Sequence, residues 1–130
     1  MRNLLMLIVI AITGCGGGGG DGAAANQYDG TWNLTVSDGL IASLSQTCTN
    51  TYTALVISNG SGDSSYTRTC TVNASGAIAS QVTTPVAVSI SASGTFSAVI
   101  GTSQILGSCI SVTACSGVNN PAMKSVSIIR

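Results

Sequence analysis

Through the body of this chain apolar residues recur at every second position, in short bursts, and that period admits few folds. In the segment Gly30-Thr31-Trp32-Asn33-Leu34-Thr35-Val36, the residues Trp32, Leu34 and Val36 fall on one side. A period of two puts alternate side chains on opposite faces of an extended strand, one face dry and one wet. Thr51–Ser58 repeats the pattern with Leu55 and Ile57 inward, and stops at the glycine-bearing loop Asn59–Asp63. Ser65–Val72 sets Tyr66, Arg68, Cys70 and Val72 against three threonines. The clearest hairpin sets Val86, Val88, Ile90 and Ala92 against Phe96, Ala98 and Ile100 across Ser93-Gly94. The strand–Ser-Gly–strand pattern also occurs earlier, around Ser75-Gly76. Further strands are expected over Gln104–Val112 and Lys124–Ile129, with Asn119-Asn120-Pro121 as a loop. Only Gly39–Gln46 leaves room for one or two helical turns. The expectation is an all-β fold: a small antiparallel barrel or sandwich of about eight strands.

Such a domain needs more than its core. Its aromatics are Tyr28, Trp32, Tyr52, Tyr66 and Phe96, and small domains bury a modest share of their surface. Cys48, Cys70, Cys109 and Cys115 supply the remedy as two disulfides. Three connectivities exist on paper. Cys48–Cys70 with Cys109–Cys115 is expected, since sequential pairing suits adjacent antiparallel strands. Neither a C-x2-C metal spacing nor a C-x2-C redox motif is present.

The fifth cysteine, Cys15, belongs to a different segment. Met1-Arg2-Asn3 is short and basic, Leu4–Ile12 is an apolar run of nine residues, and Thr13-Gly14 are small. That is the layout of a secretory signal, and the run falls short of the about 20 residues a spanning helix needs. Ile12-Thr13-Gly14-Cys15 resembles the lipobox of bacterial lipoproteins. The resemblance covers residues 1–15. It implies cleavage before Cys15, lipid on that cysteine and a membrane as the first partner. Two or more acyl chains hold durably where one holds marginally. Gly16 stands where an Asp would imply inner-membrane retention, so the outer membrane is favoured if the host has one. The chain is thus divided into a signal at 1–14, a lipidated cysteine with glycine-rich tether at 15–27, and the β domain at 28–130. Gly16–Gly20 has no strand before it and no GK[ST] after it, which makes it a spacer rather than a phosphate loop.

Composition narrows the function. Charged residues make up 6% of the chain, with four basic, four acidic and no histidine. No basic patch exists to hold nucleic acid. The four acids are Asp21, Asp29, Asp38 and Asp63, and the first three precede glycine, as turn residues do. They do not form the paired carboxylates of glycoside hydrolysis. A hydrolase base would have to be Lys124. Asp63 with Asn59 offers too few oxygens for calcium. No catalytic, cofactor or metal site is therefore expected.

Gly30-x-Trp32 resembles the opening motif of lipocalin-like barrels, in which such a tryptophan closes one end. The commoner role of a tryptophan on an alternating strand is plain core. The readings that follow are a non-enzymatic structural or protein-binding envelope module, a carrier of a small apolar ligand, or an inhibitor of a periplasmic hydrolase.

Overall fold

The computed structural model describes residues 26–38 and 45–130. The signal segment, Cys15 and nearly all of the tether lie outside them, as does most of the segment 39–46 expected to hold a helical turn. Gln46 itself opens a strand. Among the described residues there are nine strands, in chain order β1 (Gly30–Ser37), β2 (Gln46–Tyr52), β3 (Leu55–Ile57), β4 (Ser61–Val72), β5 (Ile78–Ile90), β6 (Thr95–Ile100), β7 (Ser103–Ser111), β8 (Ala114–Asn119) and β9 (Lys124–Ile129). All pairings are antiparallel, in one sheet ordered β2-β4-β5-β6-β7-β8-β9-β1-β3. The sheet curls until β3, its last strand, returns to β4, where Ser58 and Ser61 exchange backbone hydrogen bonds across the Asn59-Gly60 turn. One curled sheet settles the choice between barrel and sandwich in favour of the barrel-like form.

The inner face carries the alternation expected of it. Trp32, Leu34, Val36, Val86, Val88, Ile90, Phe96, Ala98 and Ile100 are all buried, joined by Leu55, Ile57, Ile105, Val126 and Ile128. Ala92 is a correction: it lies exposed in the β5–β6 turn rather than in the core. Positive backbone φ at Gly76 (67°) and Gly94 (83°) lets both Ser-Gly turns close.

The expected strand over Thr51–Ser58 is two strands. Tyr52 lies opposite Tyr66, whereas Ser58 lies opposite Ser61, so one extra residue enters between them. The insertion exchanges the side-chain parity: Leu55 and Ile57 point inward, while on β2 the even positions share the face of Cys70. At the break, the Thr53 N–H still donates to Ser65 O at 2.9 Å, while its hydroxyl takes the place of the return ladder bond by accepting from the Ser65 N–H at 2.8 Å. Beside it the Tyr52 hydroxyl spans the seam to β1, donating to Val36 O and accepting from Val36 N–H at 3.3 and 3.2 Å.

Strand β8 was not expected. Its inward positions are Cys115 and Gly117, while Val118 faces water, so its hydrophobic pattern runs opposite to the usual one.

Both disulfides form, as Cys48–Cys70 and Cys109–Cys115, with Cα atoms 4.0 and 3.8 Å apart. Each joins residues directly opposite on neighbouring strands. The flanking bonds explain the fit. Thr53 N–H to Ser65 O and Asn73 N–H to Ser45 O make the odd β2 residues the hydrogen-bonded ones. Cys48 and Cys70 therefore form a non-hydrogen-bonded pair, the kind whose side chains stand closest. Likewise the Cys109 N–H points to Gly94 O, away from β8. Replacing Cys48 and Cys70 together by alanine is expected to cost about 3 kcal/mol, and Cys109 with Cys115 about 2, following loop length. Urea denaturation of each double variant checks the order, which fails if the shorter loop costs more.

Candidate functional site

The strands give the molecule two unlike ends. The chain enters at the first, where β1 begins. There Trp32 is 2% exposed and its indole N–H donates to Tyr28 O at 2.9 Å. The Arg130 guanidinium lies 5.1 Å from the Trp32 ring centroid and donates to Asp29 O. The Asp29 carboxylate accepts from the Gly60 N–H at 2.9 Å and the Asn26 N–H at 3.2 Å. This end is closed.

The Gly60 N–H, first among several causes, holds the Asp29 carboxyl below its ordinary value of 3.8; burial opposes it, and the N–H groups of Asn59 and Asn26 and the charge of Arg130 assist. A depressed carboxyl stabilises the fold above its unfolded pKa. That stabilisation is lost as pH falls through the folded pKa. Acid unfolding of Asp29→Ala, followed by near-UV circular dichroism, is expected to be shallower than wild type below about pH 4. Equal slopes would remove Asp29 from the account.

The opposite end is open. β2, the second half of β4 and the first half of β5 run past the packed core as a three-stranded wall. Val82 on that wall is 58% exposed. Facing it are the β6–β7 turn, with Gly101 and Thr102, and Lys124 at the start of β9. Between them lies a cleft of about 590 Å³ floored by Ile100 and Tyr66. Asp38, at the end of β1, forms an ion pair with Arg68 on β4 inside it. Lys124 donates to Ser103 Oγ at 2.8 Å, tying the starts of β9 and β7 across β8. Burial pushes the Tyr66 phenol above its ordinary 10.0; a hydrogen bond with Thr84 opposes this, Asp38 adds to it and Arg68 counters it. Tyr66 therefore stays a neutral hydroxyl at the cleft floor at physiological pH.

In the sequence Asp38 is an isolated turn residue before Gly39, and Lys124 stands alone as the one lysine that could serve a hydrolase as base. The curl brings both to one cleft, with Arg68 and Tyr66 of β4. Asp29 sits at the far end of the molecule. Asp63 is exposed near the start of β4, and Asn59 occupies the tight turn with φ of 51°. Among the described residues no group of three or more His, Cys, Asp or Glu could hold a metal ion. The cleft offers a fixed ion pair, hydroxyls and an aliphatic floor, which suits binding by shape and hydrogen bonds. Its carboxylate is engaged by Arg68, and the amine of Lys124 by Ser103.

A second feature adjoins the cleft. β2 ends the sheet, and among the described residues it pairs with β4 alone. Its hydrogen-bonded residues are the odd ones, so Gln46, Cys48 and Asn50 turn their N–H and C=O groups outward. The strand has no charge, no proline and no bulge, the usual devices that blunt a free edge. Comparison of the chain with protein-family models, curated proteins and solved structures finds no match.

Proposed function

We propose that this chain is a lipid-anchored lipoprotein of the bacterial envelope whose β domain is non-enzymatic and binds a protein partner at its open end. The lipobox-like Ile12–Cys15 supports the anchor, and Gly16 favours the outer membrane where one exists. Two disulfides fit an exported, oxidising compartment. One observation carries the binding half of the reading. The chain enters at the closed end, so the cleft and the β2 edge, unpaired among the described residues, lie at the opposite end, facing away from an anchoring membrane. An unpaired edge takes an extended segment by strand addition, and a neighbouring pocket supplies selectivity.

The test has two arms. Metabolic labelling with a clickable palmitate is expected to mark the wild type and not Cys15→Ser; equal labelling of both sinks the anchor. Asn50→Pro removes an outward N–H at the edge and leaves the β4 ladder intact. It is expected to keep the wild-type melting profile and lose the partner recovered in pull-downs from the native envelope. Undiminished recovery refutes edge binding. Stoichiometric capture of a hydrolase would identify the inhibitor form of this function.

The cleft itself favours a second reading, carriage of a small ligand. Trp32, Phe96, Leu55 and Ile105 fill the interior, so the ligand would be held at the mouth rather than deep in the barrel. Native mass spectrometry of the gently extracted protein is expected to retain such a molecule, and a bare mass rules the carrier out.

A further inference from the structure

We infer that the tip of the β7–β8 hairpin is a membrane-contact element, pressed by Ile110 and Val112 into the surface of the bilayer that carries the anchor. The inference rests on the lipid-anchor reading and adds an orientation to it. Asn26 is bound into the closed end, its side-chain amide donating to Ile90 O at 3.0 Å, and Gln27 follows by donating to Ala92 O at 3.2 Å. Cys15 stands eleven residues before Asn26. A lipid there would bring the closed end to the membrane first.

Among the described residues three hairpin turns sit at that end. Asn59-Gly60 and Ser91–Gly94 are built from polar and small residues, as hairpin turns usually are. The β7–β8 tip differs. From Ile110 to Ala114 it carries no charge, and Ile110 is 86% exposed. Val112 beside it is 46% exposed. Branched aliphatic residues held in water at a tip gain free energy on entering an interface.

The tip is also rigid, so that contact would order little more. Cys109–Cys115 spans its base. Within it, Ser111 Oγ lies 3.0 Å from Thr113 Oγ1 and accepts from the Thr113 N–H at 3.2 Å. The Arg130 N–H donates to Thr113 O at 2.9 Å, which sets an arginine next to the tip, where anionic headgroups would meet it. Two aliphatic side chains would not hold a free domain on a membrane. A tether changes the requirement, because it keeps the tip at high local concentration near the surface. Contact would fix the barrel axis, and the cleft would then point outward in a constant orientation rather than tumbling about the tether.

The experiment uses the full-length lipidated protein in phosphatidylcholine–phosphatidylglycerol vesicles whose phosphatidylcholine is brominated along its acyl chains. Trp32 is buried and gives the background signal. Ile110→Trp is expected to emit at shorter wavelength and to lose most of its added emission to the bromolipid. Ala74→Trp, in the β4–β5 turn at the open end, is expected to keep its emission. The charged pair Ile110→Asp with Val112→Asp, scored for wild-type folding by near-UV circular dichroism, should release the closed end, read as lost protection from added protease. An unquenched Ile110→Trp overturns the membrane contact, and so does equal quenching at both sites; if palmitate still marks Cys15, the anchor reading survives that result. Failure of palmitate labelling together with failure to associate with vesicles overturns both.

Discussion

Gly107→Ala is expected to destabilise the domain by at least about 3 kcal/mol, the upper range for forcing a methyl into a packed site. The added Cβ would stand 1.9 Å from Ser116 O, 2.7 Å from Ser116 C and 2.5 Å from Gly117 Cα. All three are backbone atoms of β8, so no side chain can swing aside. Gly107 and Gly117 lie directly opposite each other, and Gly117 has its own close neighbour in Leu106 O at 2.8 Å from a built Cβ. Facing glycines let β7 and β8 approach where the sheet bends, as at a barrel corner. Relief would require pulling apart a ladder that the Cys109–Cys115 disulfide clamps two residues away. Gly76→Ala is the control. Its Cβ meets nothing within 4 Å, and only the positive φ of 67° opposes it, which costs about 1–2 kcal/mol. Urea midpoints of both variants decide the matter. Equal losses would mean that the bend does not depend on the glycine pair.

Trp32→Ala is expected to lose about 3–5 kcal/mol, the usual cost of truncating a buried aromatic. Against a total of about 5–15 kcal/mol for a domain, that leaves little. Trp32 is among the largest fully buried side chains, in a chain with one tryptophan and one phenylalanine. Its removal also strips the Arg130 guanidinium of the ring it lies over and the Tyr28 carbonyl of its indole donor. Trp32→Phe keeps most of the volume and loses the indole hydrogen bond, so it should fall between wild type and Trp32→Ala. Thermal melts at fixed pH measure all three. A Trp32→Ala protein that melts within a few degrees of wild type would show that this end of the barrel is not where stability resides.

Closing the chain-entry end is one role the sequence could suggest for Trp32 from a Gly-x-Trp pattern, and burial at that end agrees with it. The pattern could not supply Arg130, nearly a hundred residues later. The same division runs through the fold. Alternation over Gly30–Val36, Val86–Ile90 and Phe96–Ile100 identified the inward residues, because strand periodicity is written in neighbours along the chain. The Ser-Gly turns were legible for the same reason, and so was sequential cysteine pairing, once adjacent strands were assumed.

What escaped was non-local. β8 hides because its inward residues are Cys115 and Gly117 and its Val118 faces out, which inverts the local signal; only its place between β7 and β9 makes it a strand. The break between β2 and β3 exchanges side-chain parity at Thr53–Ala54, where the chain must pair with β4 on one side and β1 on the other. Asp38, Arg68, Tyr66 and Lys124 are separated by up to 86 positions (Asp38 to Lys124), and nothing in their spacing draws them together. By itself the sequence determined most of the strands, their buried faces, their Ser-Gly turns and their staples, since each of these follows from a period of two and from short-range pairing. The curl that closes one end, opens a cleft at the other and leaves the outer edge of β2 without a strand partner among the described residues was decided by the tertiary structure alone. It depends on register and on backbone approach between distant strands, as at Gly107 and Gly117.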